Sequence, residues 1–167
     1  MNEKLKYIQC RTTVGDVYIV ARGQKIVAVH IGEEDLNKEE NRENLLYDDQ
    51  APLLKEAKSQ MEEYFSAKRK SFELPLEEKG TPFQISVWDK LKNIPYGETK
   101  SYQEIAEEIG NSNAVRAIGQ ANKANKLPII IPCHRVIGKN KSLTGYAGKR
   151  TDIKEKLLSL EGSFYRK

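Results

Sequence analysis

The chain has 167 residues, of which 38% are hydrophobic and 31% charged, and its formal net charge is +4 at pH 7. A chain of this length can bury its own core, as one domain or two small ones. No apolar run approaches the roughly 18 residues that would span a bilayer, so the composition predicts a globular protein without a membrane partner. The first residues lack the apolar stretch of a secretory signal, and we therefore expect a cytoplasmic protein.

Two cysteines, Cys10 and Cys133, are too few for a disulfide framework, and a reducing compartment would keep both as thiols. A zinc site built from Cys10, His30 and distant partners stays open as an alternative, but the spacing matches no common set of zinc ligands. We therefore predict no metal site and expect Cys10 and His30 to lie on or near strands.

The charge is distributed unevenly along the chain. Up to Lys79 there are 13 Lys and Arg against 16 Asp and Glu, whereas from Gly80 onward there are 15 against 8. Between Ser112 and Arg150, eight basic residues occur without one acidic residue. Such a segment is typical of a protein that binds a polyanion, although a solvated basic surface gives the same pattern.

The first half of the chain has the pattern of a small α+β unit. Three runs of β-branched and aromatic residues, separated by glycines, predict an antiparallel meander over 4–13, 16–22 and 25–31. The highly charged residues 33–49 indicate a surface loop or irregular segment. Apolar residues then recur at helical spacing over 52–68 and predict one amphipathic helix that packs on the sheet.

A linker is predicted at residues 72–79, which divides the chain into domains 1–76 and 80–167. Thr81, Pro82 and Gln84 form a capping-box pattern that predicts a helix from Pro82, ended by Pro95-Tyr96-Gly97. Ser101 and Glu104 predict a second capping box and a short helix stopped by Gly110.

A further helix is predicted over 113–124, so that two short helices form a helix-turn-helix candidate. The second helix carries Ala114, Ala117, Gly119 and Ala121 beside one long cation, Arg116. Small side chains would let a helix approach a DNA groove closely, although packing against a neighbouring helix explains them equally well.

The strand-like run LPIIIP precedes Cys133 and His134, and a last helix is predicted over 151–160. A thiol with a pKa near 8.5 is only a few per cent ionised at neutral pH, so a nucleophilic cysteine needs a base such as imidazole. Adjacent residues of an extended chain face opposite sides, so a turn or a bridging water would be required. From these residues alone, a buried structural cysteine beside a chance neighbour stays an alternative.

The wider sequence supplies motifs in a specific order. They are SYQEIA from residue 101, RAIG from 116, Asn125, PCHRVIG from 132, GYAG from 145, and KEKLL followed by EG near the end. Together they resemble the O6-alkylguanine-DNA alkyltransferases, the methylated-DNA-protein-cysteine methyltransferases, over nearly all of residues 82–162. The resemblance implies an α+β fold, with a small ribonuclease-H-like N-terminal unit followed by a mostly helical C-terminal domain that contains a helix-turn-helix.

The resemblance also implies a suicide reaction that needs no cofactor. Cys133 would attack the alkyl carbon on guanine O6, which leaves unmodified guanine and an S-alkylated protein. His134 matches the base that deprotonates the cysteine through a water, and Glu161 matches the carboxylate that orients it. Tyr102 matches the proton donor to the leaving guanine. Asn125 matches the residue that braces the active-site turn.

The implied partner is double-stranded DNA that contains O6-alkylguanine, bound by a monomer without an obligatory protein partner. Because the target lies in a stacked duplex, the nucleotide must be flipped out. Arg116 matches the arginine that fills the gap in the stack. The remaining site predictions are DNA contacts at Ala114, Ala117, Ala121 and Arg135, and a pocket formed by Tyr146, Ala147, Gly148 and Lys154.

Three alternatives remain. An alkyltransferase-like protein would bind the lesion without repairing it, but such proteins have another residue in place of the nucleophile. A transcription factor would want polar side chains along the second helix for base readout, where this chain has alanines. A cysteine hydrolase would use Cys133 and His134 with turnover, and the sequence has no visible oxyanion hole.

Overall fold

The computed structural model describes residues 4–138 and 151–164. The chain divides into two compact units, one that ends at Glu78 and one that begins at Lys79. Each unit buries its own set of apolar side chains.

A four-stranded sheet forms the base of the first unit. Its strands are β1 (Leu5–Thr12), β2 (Gly15–Arg22), β3 (Lys25–Ile31) and β4 (Leu45–Tyr47), in the order β3-β2-β1-β4. The first three are antiparallel neighbours, which confirms the predicted meander, and β4 pairs with β1 in parallel. Helix α2 (Pro52–Phe65) packs on β1 and β2 and buries an apolar stripe, as its helical spacing predicted.

The prediction of an irregular segment over 33–49 is wrong. Helix α1 (Glu33–Glu39), a 3-10 turn (Arg42–Asn44) and β4 lie there. Three acidic residues in the first turn of α1 interact favourably with the helix dipole, and Leu36 is its one buried residue. A single apolar anchor is too weak a pattern to be recognised from the sequence.

Part of the segment interpreted as a linker belongs to the first unit. The backbone N–H of Ile26 donates to the carbonyl of Pro75 at 2.8 Å, and that of Glu77 donates to the carbonyl of Ile26 at 2.9 Å. Arg22 and Glu77 add an ion pair at 2.8 Å. Residues 75–77 therefore extend the edge of the sheet at β3.

His30 and Cys10 lie on strands of this sheet. Both ring nitrogens of His30 are engaged, Nδ1 with Asp35 at 3.2 Å and Nε2 with Glu40 at 2.8 Å. Burial lowers the pKa of His30, but the hydrogen bonds and charges of the two carboxylates outweigh burial and raise the pKa to about 9. Burial raises the pKa of the Cys10 thiol to about 12. Within 4–138 and 151–164, no cluster of three or more metal-ligating side chains is suited to hold a metal ion.

The second unit is mostly helical. Its helices are α3 (Pro82–Lys92), α4 (Tyr102–Ile109), α5 (Val115–Lys123) and α6 (Thr151–Glu161). Both predicted capping boxes are present, at the start of α3 and of α4. Helix α3 ends three residues before Pro95, so the predicted stop lies too late in the chain. The indole N–H of Trp88 donates to the carbonyl of Ala121 at 2.9 Å and ties α3 to α5.

A short parallel pair of strands connects the parts of this unit that carry the site. Strand β5 (Lys100–Ser101) lies directly before α4, and β6 (Val136–Ile137) lies directly after a 3-10 turn at Cys133–Arg135. Pairing of Lys100 with Val136 and Ser101 with Ile137 therefore fixes the start of α4 next to that turn.

Candidate active site around Cys133

The chain reverses direction at Cys133 through two consecutive tight turns. Pro132 has φ −78° and ψ 66°, and the N–H of Cys133 donates to the carbonyl of Ile131 at 2.7 Å, which is the geometry of an inverse γ-turn. A 3-10 turn follows. Cys133 is 3% exposed and His134 is fully buried, so both side chains point into the unit despite being adjacent. The predicted strand-like run before Cys133 is thus a series of turns.

Asn125 spans this loop. Its Nδ2 donates to the carbonyl of Ile131 at 3.0 Å, and its Oδ1 accepts from the N–H of Leu127 at 2.9 Å. Ile129 lies between these points with φ 74°, in the left-handed region that a β-branched residue rarely adopts. The two amide hydrogen bonds hold the loop in this strained conformation, at the position predicted for the brace.

His134 and Glu161 form a buried hydrogen-bonded pair. The Nε2 of His134 lies 2.8 Å from Oε2 of Glu161, and both side chains are fully buried. Burial raises the pKa of Glu161, but His134 and Arg135 outweigh burial and lower it to about 2. An ionised carboxylate only accepts hydrogen bonds, so Nε2 carries the proton and Nδ1 carries the lone pair.

The pKa of His134 lies below its usual value. Burial is the largest cause, the charges of Arg135 and Lys154 act in the same direction, and Glu161 opposes them. The imidazole is therefore neutral at pH 7. Since a neutral His134 has no charge to offer, the guanidinium of Arg135 is the cation that keeps Glu161 ionised at neutral pH.

Arg135, which the sequence predicts to contact DNA, points into the unit in this structure. Arg135 is 7% exposed, and its Nε and Nη2 donate to the two oxygens of Glu161, each at 2.9 Å. Its Nη1 donates to the carbonyl of Ile94 at 2.7 Å, and its guanidinium lies 5.7 Å from the ring centroid of Tyr96. All three guanidinium nitrogens of Arg135 are therefore hydrogen-bonded inside the unit.

Lys154 and Tyr102 meet near Cys133. Lys154 is fully buried, its Nζ donates to the carbonyl of Val136, and the same Nζ lies 6.0 Å from the ring centroid of Tyr102. Burial lowers the pKa of Lys154 to about 8, while the charge of Cys133 acts to raise it. Tyr102 is the first residue of α4 and is half-buried. Both predicted residues therefore lie at the site.

Asn122 also contacts the backbone of Cys133, and the sequence did not indicate it. Its Nδ2 lies 3.4 Å from the carbonyl oxygen of Cys133, while its buried Oδ1 has no hydrogen-bond partner among the described residues. A polar residue between Ala121 and Lys123 on a helix rich in alanine was the available signal. Asn122 links the second helix of the helix-turn-helix to the active-site turn.

Helices α4 and α5 form the predicted helix-turn-helix. Helix α4 ends at Gly110, whose φ of 87° lies in the left-handed region that glycine favours. Arg116 and Ala117 are exposed on the first turns of α5, whereas Ala114 and Ala121 are buried. The DNA contacts predicted at Ala114 and Ala121 stay predictions, and the structure places both side chains largely inside the unit.

The exposed face of α5 includes residues that were not singled out. Val115 is 37% exposed, and Gln120 and Lys123 are exposed along the same helix. A Cβ added at Gly119 would meet no other atom of the described residues within 4 Å. The predicted pocket residues Tyr146, Ala147 and Gly148 lie outside the described residues.

The arrangement as a whole defines a class of protein. In the second unit, a helix-turn-helix of the kind found in DNA-binding proteins lies beside a buried cysteine that is accompanied by a neutral histidine and an ionised carboxylate, an arrangement able to activate a thiol. Two family models match the chain: the ribonuclease-like domain of 6-O-methylguanine DNA methyltransferase over residues 5–77, and its DNA-binding domain over 82–163. The chain belongs to the 6-O-methylguanine DNA methyltransferase family.

Individual relatives agree with this membership. The chain is 48% identical to a constitutive methylated-DNA--protein-cysteine methyltransferase of Bacillus subtilis, over 96% of this chain and 97% of the relative. The crystal structure of the O6-methylguanine methyltransferase of Mycobacterium tuberculosis superposes with a TM-score of 0.85 at 37% identity, covering 95% of this chain and 93% of that one. A structure of the Mycobacterium tuberculosis protein in complex with DNA gives a TM-score of 0.82 at 37% identity, covering 94% and 92%. In the part of the chain that the structure describes, no helix is long and apolar enough to cross a membrane.

Proposed function

We propose that this protein repairs O6-alkylguanine in double-stranded DNA by transferring the alkyl group to Cys133, once per chain. The observation that carries the proposal is the buried double turn that places Cys133 beside His134, whose Nε2 is held by Glu161 at 2.8 Å. Transfer to a protein cysteine is also the activity that names the relatives.

The base and the nucleophile follow from the tautomer. With Nε2 bonded to Glu161, the Nδ1 lone pair of His134 takes the proton of the Cys133 thiol through a water molecule. The thiolate attacks the alkyl carbon, and the new S–C bond forms as the C–O6 bond breaks. The electron pair of the broken bond stays on guanine, which needs a proton.

Tyr102 and Lys154 serve the leaving group. The hydroxyl of Tyr102 donates a proton to the departing guanine, and the thiol proton held by His134 later replaces it, so no proton is gained or lost overall. The Lys154 ammonium lies 6.0 Å from the Tyr102 ring and close enough to Cys133 for their charges to interact, so it would stabilise the negative charge that develops during transfer. With a pKa of about 8, it is mostly protonated at neutral pH.

The exposed face of α5 is the proposed DNA contact. Glycine inside a helix costs about 1 kcal/mol relative to alanine, and no packing within the described residues accounts for Gly119. Close approach of the helix to a groove would account for it, together with the small exposed side chain of Ala117. Arg116, exposed on the first turn, would fill the place of the flipped nucleotide.

The remaining properties follow from this chemistry. The reaction consumes only the thiol and the lesion, so it needs no cofactor, and a thiol nucleophile requires a reducing compartment such as the cytoplasm. One chain carries the whole proposed set of reacting groups, which supports action as a monomer without an obligatory protein partner.

The first test is mass spectrometry after the protein is mixed with excess duplex DNA that contains O6-methylguanine. We expect a gain of one methyl group on the Cys133 peptide, about one per chain, with loss of the lesion. Cys133→Ala should abolish transfer and retain lesion binding. Tight binding without a mass gain in the unmodified protein would refute repair and indicate a lesion-recognition protein.

Arg116→Ala tests the DNA-facing role separately. We expect it to slow transfer from duplex DNA by more than about tenfold, while reaction with free O6-benzylguanine changes little, because the free base needs no flipping. Parallel time courses on the two substrates provide the comparison. Equal slowing on both would remove the flipping role, and Lys55→Ala, an exchange of an exposed cation on α2, is the control for loss of one positive charge.

A further inference from the structure

The guanidinium of Arg135 contacts the carboxylate of the buried His134–Glu161 pair. Its Nε and Nη2 form a bidentate contact with Glu161 at 2.9 Å on both sides, and Oε2 of the same carboxylate accepts from His134 at 2.8 Å. The third nitrogen is fixed on the carbonyl of Ile94. A fork this fully engaged sets both the position and the orientation of the carboxylate.

Arg135 is the cation in direct contact with the carboxylate that bonds His134. Within residues 4–138 and 151–164, the titratable or charged groups that face this cluster are Arg135 and Cys133 from the turn, Glu161 and Lys154 from α6, Tyr96 after α3, and Tyr102 from α4. Arg135 and Glu161 cancel each other, so burial can keep His134 neutral. Without the guanidinium, the buried carboxylate would have His134 as its directly bonded counter-charge.

That change would disable the base. A buried carboxylate beside an imidazole favours the imidazolium, because the ion pair is better than an isolated buried charge. An imidazolium has no lone pair on Nδ1 and accepts no proton from Cys133. Loss of Arg135 would therefore convert a general base into a counter-ion, without touching the nucleophile or the DNA-binding face.

We propose that Arg135 is a positioning residue for alkyl transfer: by holding Glu161 as a bidentate carboxylate, it keeps His134 as the neutral Nε2–H tautomer that accepts the thiol proton. This inference rests on the proposed function of Cys133 and His134. It assigns Arg135 to the chemistry of the site and not to DNA recognition.

The main experiment is the pH dependence of the transfer rate in Arg135→Met and Arg135→Lys. In Arg135→Met the Glu161 carboxylate, no longer neutralised by a guanidinium, should raise the pKa of His134, as two carboxylates raise that of His30, and so reduce the neutral fraction of the imidazole at pH 7. We expect a loss of about 10²-fold at pH 7 that narrows as the pH rises to 9. Arg135→Lys keeps the positive charge but not the bidentate contact, so it should recover only part of the neutral-pH rate.

Two controls separate this role from general damage. Arg11→Met, an exchange on the exposed side of β1, should leave the pH profile unchanged. DNA affinity of the Arg135 variants should also stay unchanged. A rate loss in Arg135→Met that is constant between pH 7 and pH 9, or no loss at all, would overturn the proposal.

A second measurement is made on the unmodified protein and does not require an Arg135 variant to fold. Nitrogen-15 NMR of the His134 ring in the unmodified protein, assigned with His134→Gln, reports the tautomer directly. We expect a protonated Nε2 and an unprotonated Nδ1 at pH 7, and an imidazolium or the opposite tautomer would overturn the proposal. Failure of the unmodified protein to alkylate Cys133 would refute the proposed function. The NMR measurement does not depend on alkyl transfer, so the two failures can be told apart.

Discussion

Two buried histidines, one in each unit, have carboxylate partners at the same 2.8 Å distance and opposite protonation behaviour. His30 lies between Asp35 and Glu40, and its pKa is raised to about 9. His134 bonds Glu161, and its pKa is lowered. A hydrogen bond to a carboxylate therefore does not by itself decide whether a histidine is a cation.

The difference lies in burial, in the number of carboxylates and in what else those carboxylates contact. Glu161 is neutralised by the bidentate guanidinium of Arg135, so its pull on the proton of His134 is reduced and burial dominates. Asp35 and Glu40 are exposed in part and have no comparable fork among their described contacts, so both act on His30. In the proposed mechanism the first arrangement provides a base, whereas the second forms an ion pair between β3 and the region of α1.

The largest expected effect comes from exchanging the histidines themselves. His134→Gln should lower the transfer rate by about 10²–10⁴-fold, because the thiol loses its proton acceptor. His30→Gln removes a buried imidazole that contacts none of the reacting groups and should leave the rate within about twofold of the unmodified protein. Rates of methyl loss from duplex DNA measure both. A similar loss of transfer rate in the two variants would show that His134 has no role in transfer that His30 lacks.

The next effect concerns the carboxylates. Glu161→Gln leaves the buried Arg135 without its counter-charge and should lower the free energy of unfolding by about 3–5 kcal/mol. Glu40→Gln should cost about 1 kcal/mol, because the Glu40 side chain is 16% exposed and Asp35 still pairs with His30. Urea unfolding at pH 7 measures both variants against the unmodified protein. Equal losses of unfolding free energy would indicate that the Arg135 guanidinium does not make the Glu161 carboxylate more important for stability than that of Glu40.

Much of this fold was predictable from local pattern. The alternating strands, the two capping boxes and the apolar stripe of α2 are all set by residues within a few positions of each other. Helix α1 and strand β4 were missed, because Leu36 is the only buried residue of α1 and β4 is stabilised by pairing with β1, 40 positions earlier. Pairing over that distance has no local sequence pattern.

The sequence predicted which residues lie at the site better than it predicted their charges and protonation. The order of the motifs indicated Cys133, His134, Glu161 and Asn125, but the run before Cys133 was interpreted as a strand because it is apolar and β-branched. The Asn125 amide and Pro132 instead impose turns. The sequence predicts Arg135 to be a surface cation, because arginine is usually exposed unless it is paired. Its partner Glu161 is 26 residues away, so the pairing has no local sequence pattern.

The smallest expected effect is the pH dependence of stability that comes from His30. Because its folded pKa of about 9 lies above the ordinary value of 6.5, the stabilisation is fully present below pH 6.5 and is lost as the pH rises through 9. The difference in unfolding free energy between the unmodified protein and His30→Gln should therefore be on the order of 2–3 kcal/mol at pH 6 and shrink at pH 9.5. Urea titrations at the two pH values, with His134→Gln as the matched control, measure it. In the control the difference should not fall over this range, because the pKa of His134 is lowered and its imidazole is already neutral. A His30→Gln difference that is constant with pH would mean that His30 is not held as a cation, and the contrast between the two histidines would then have to rest on geometry alone.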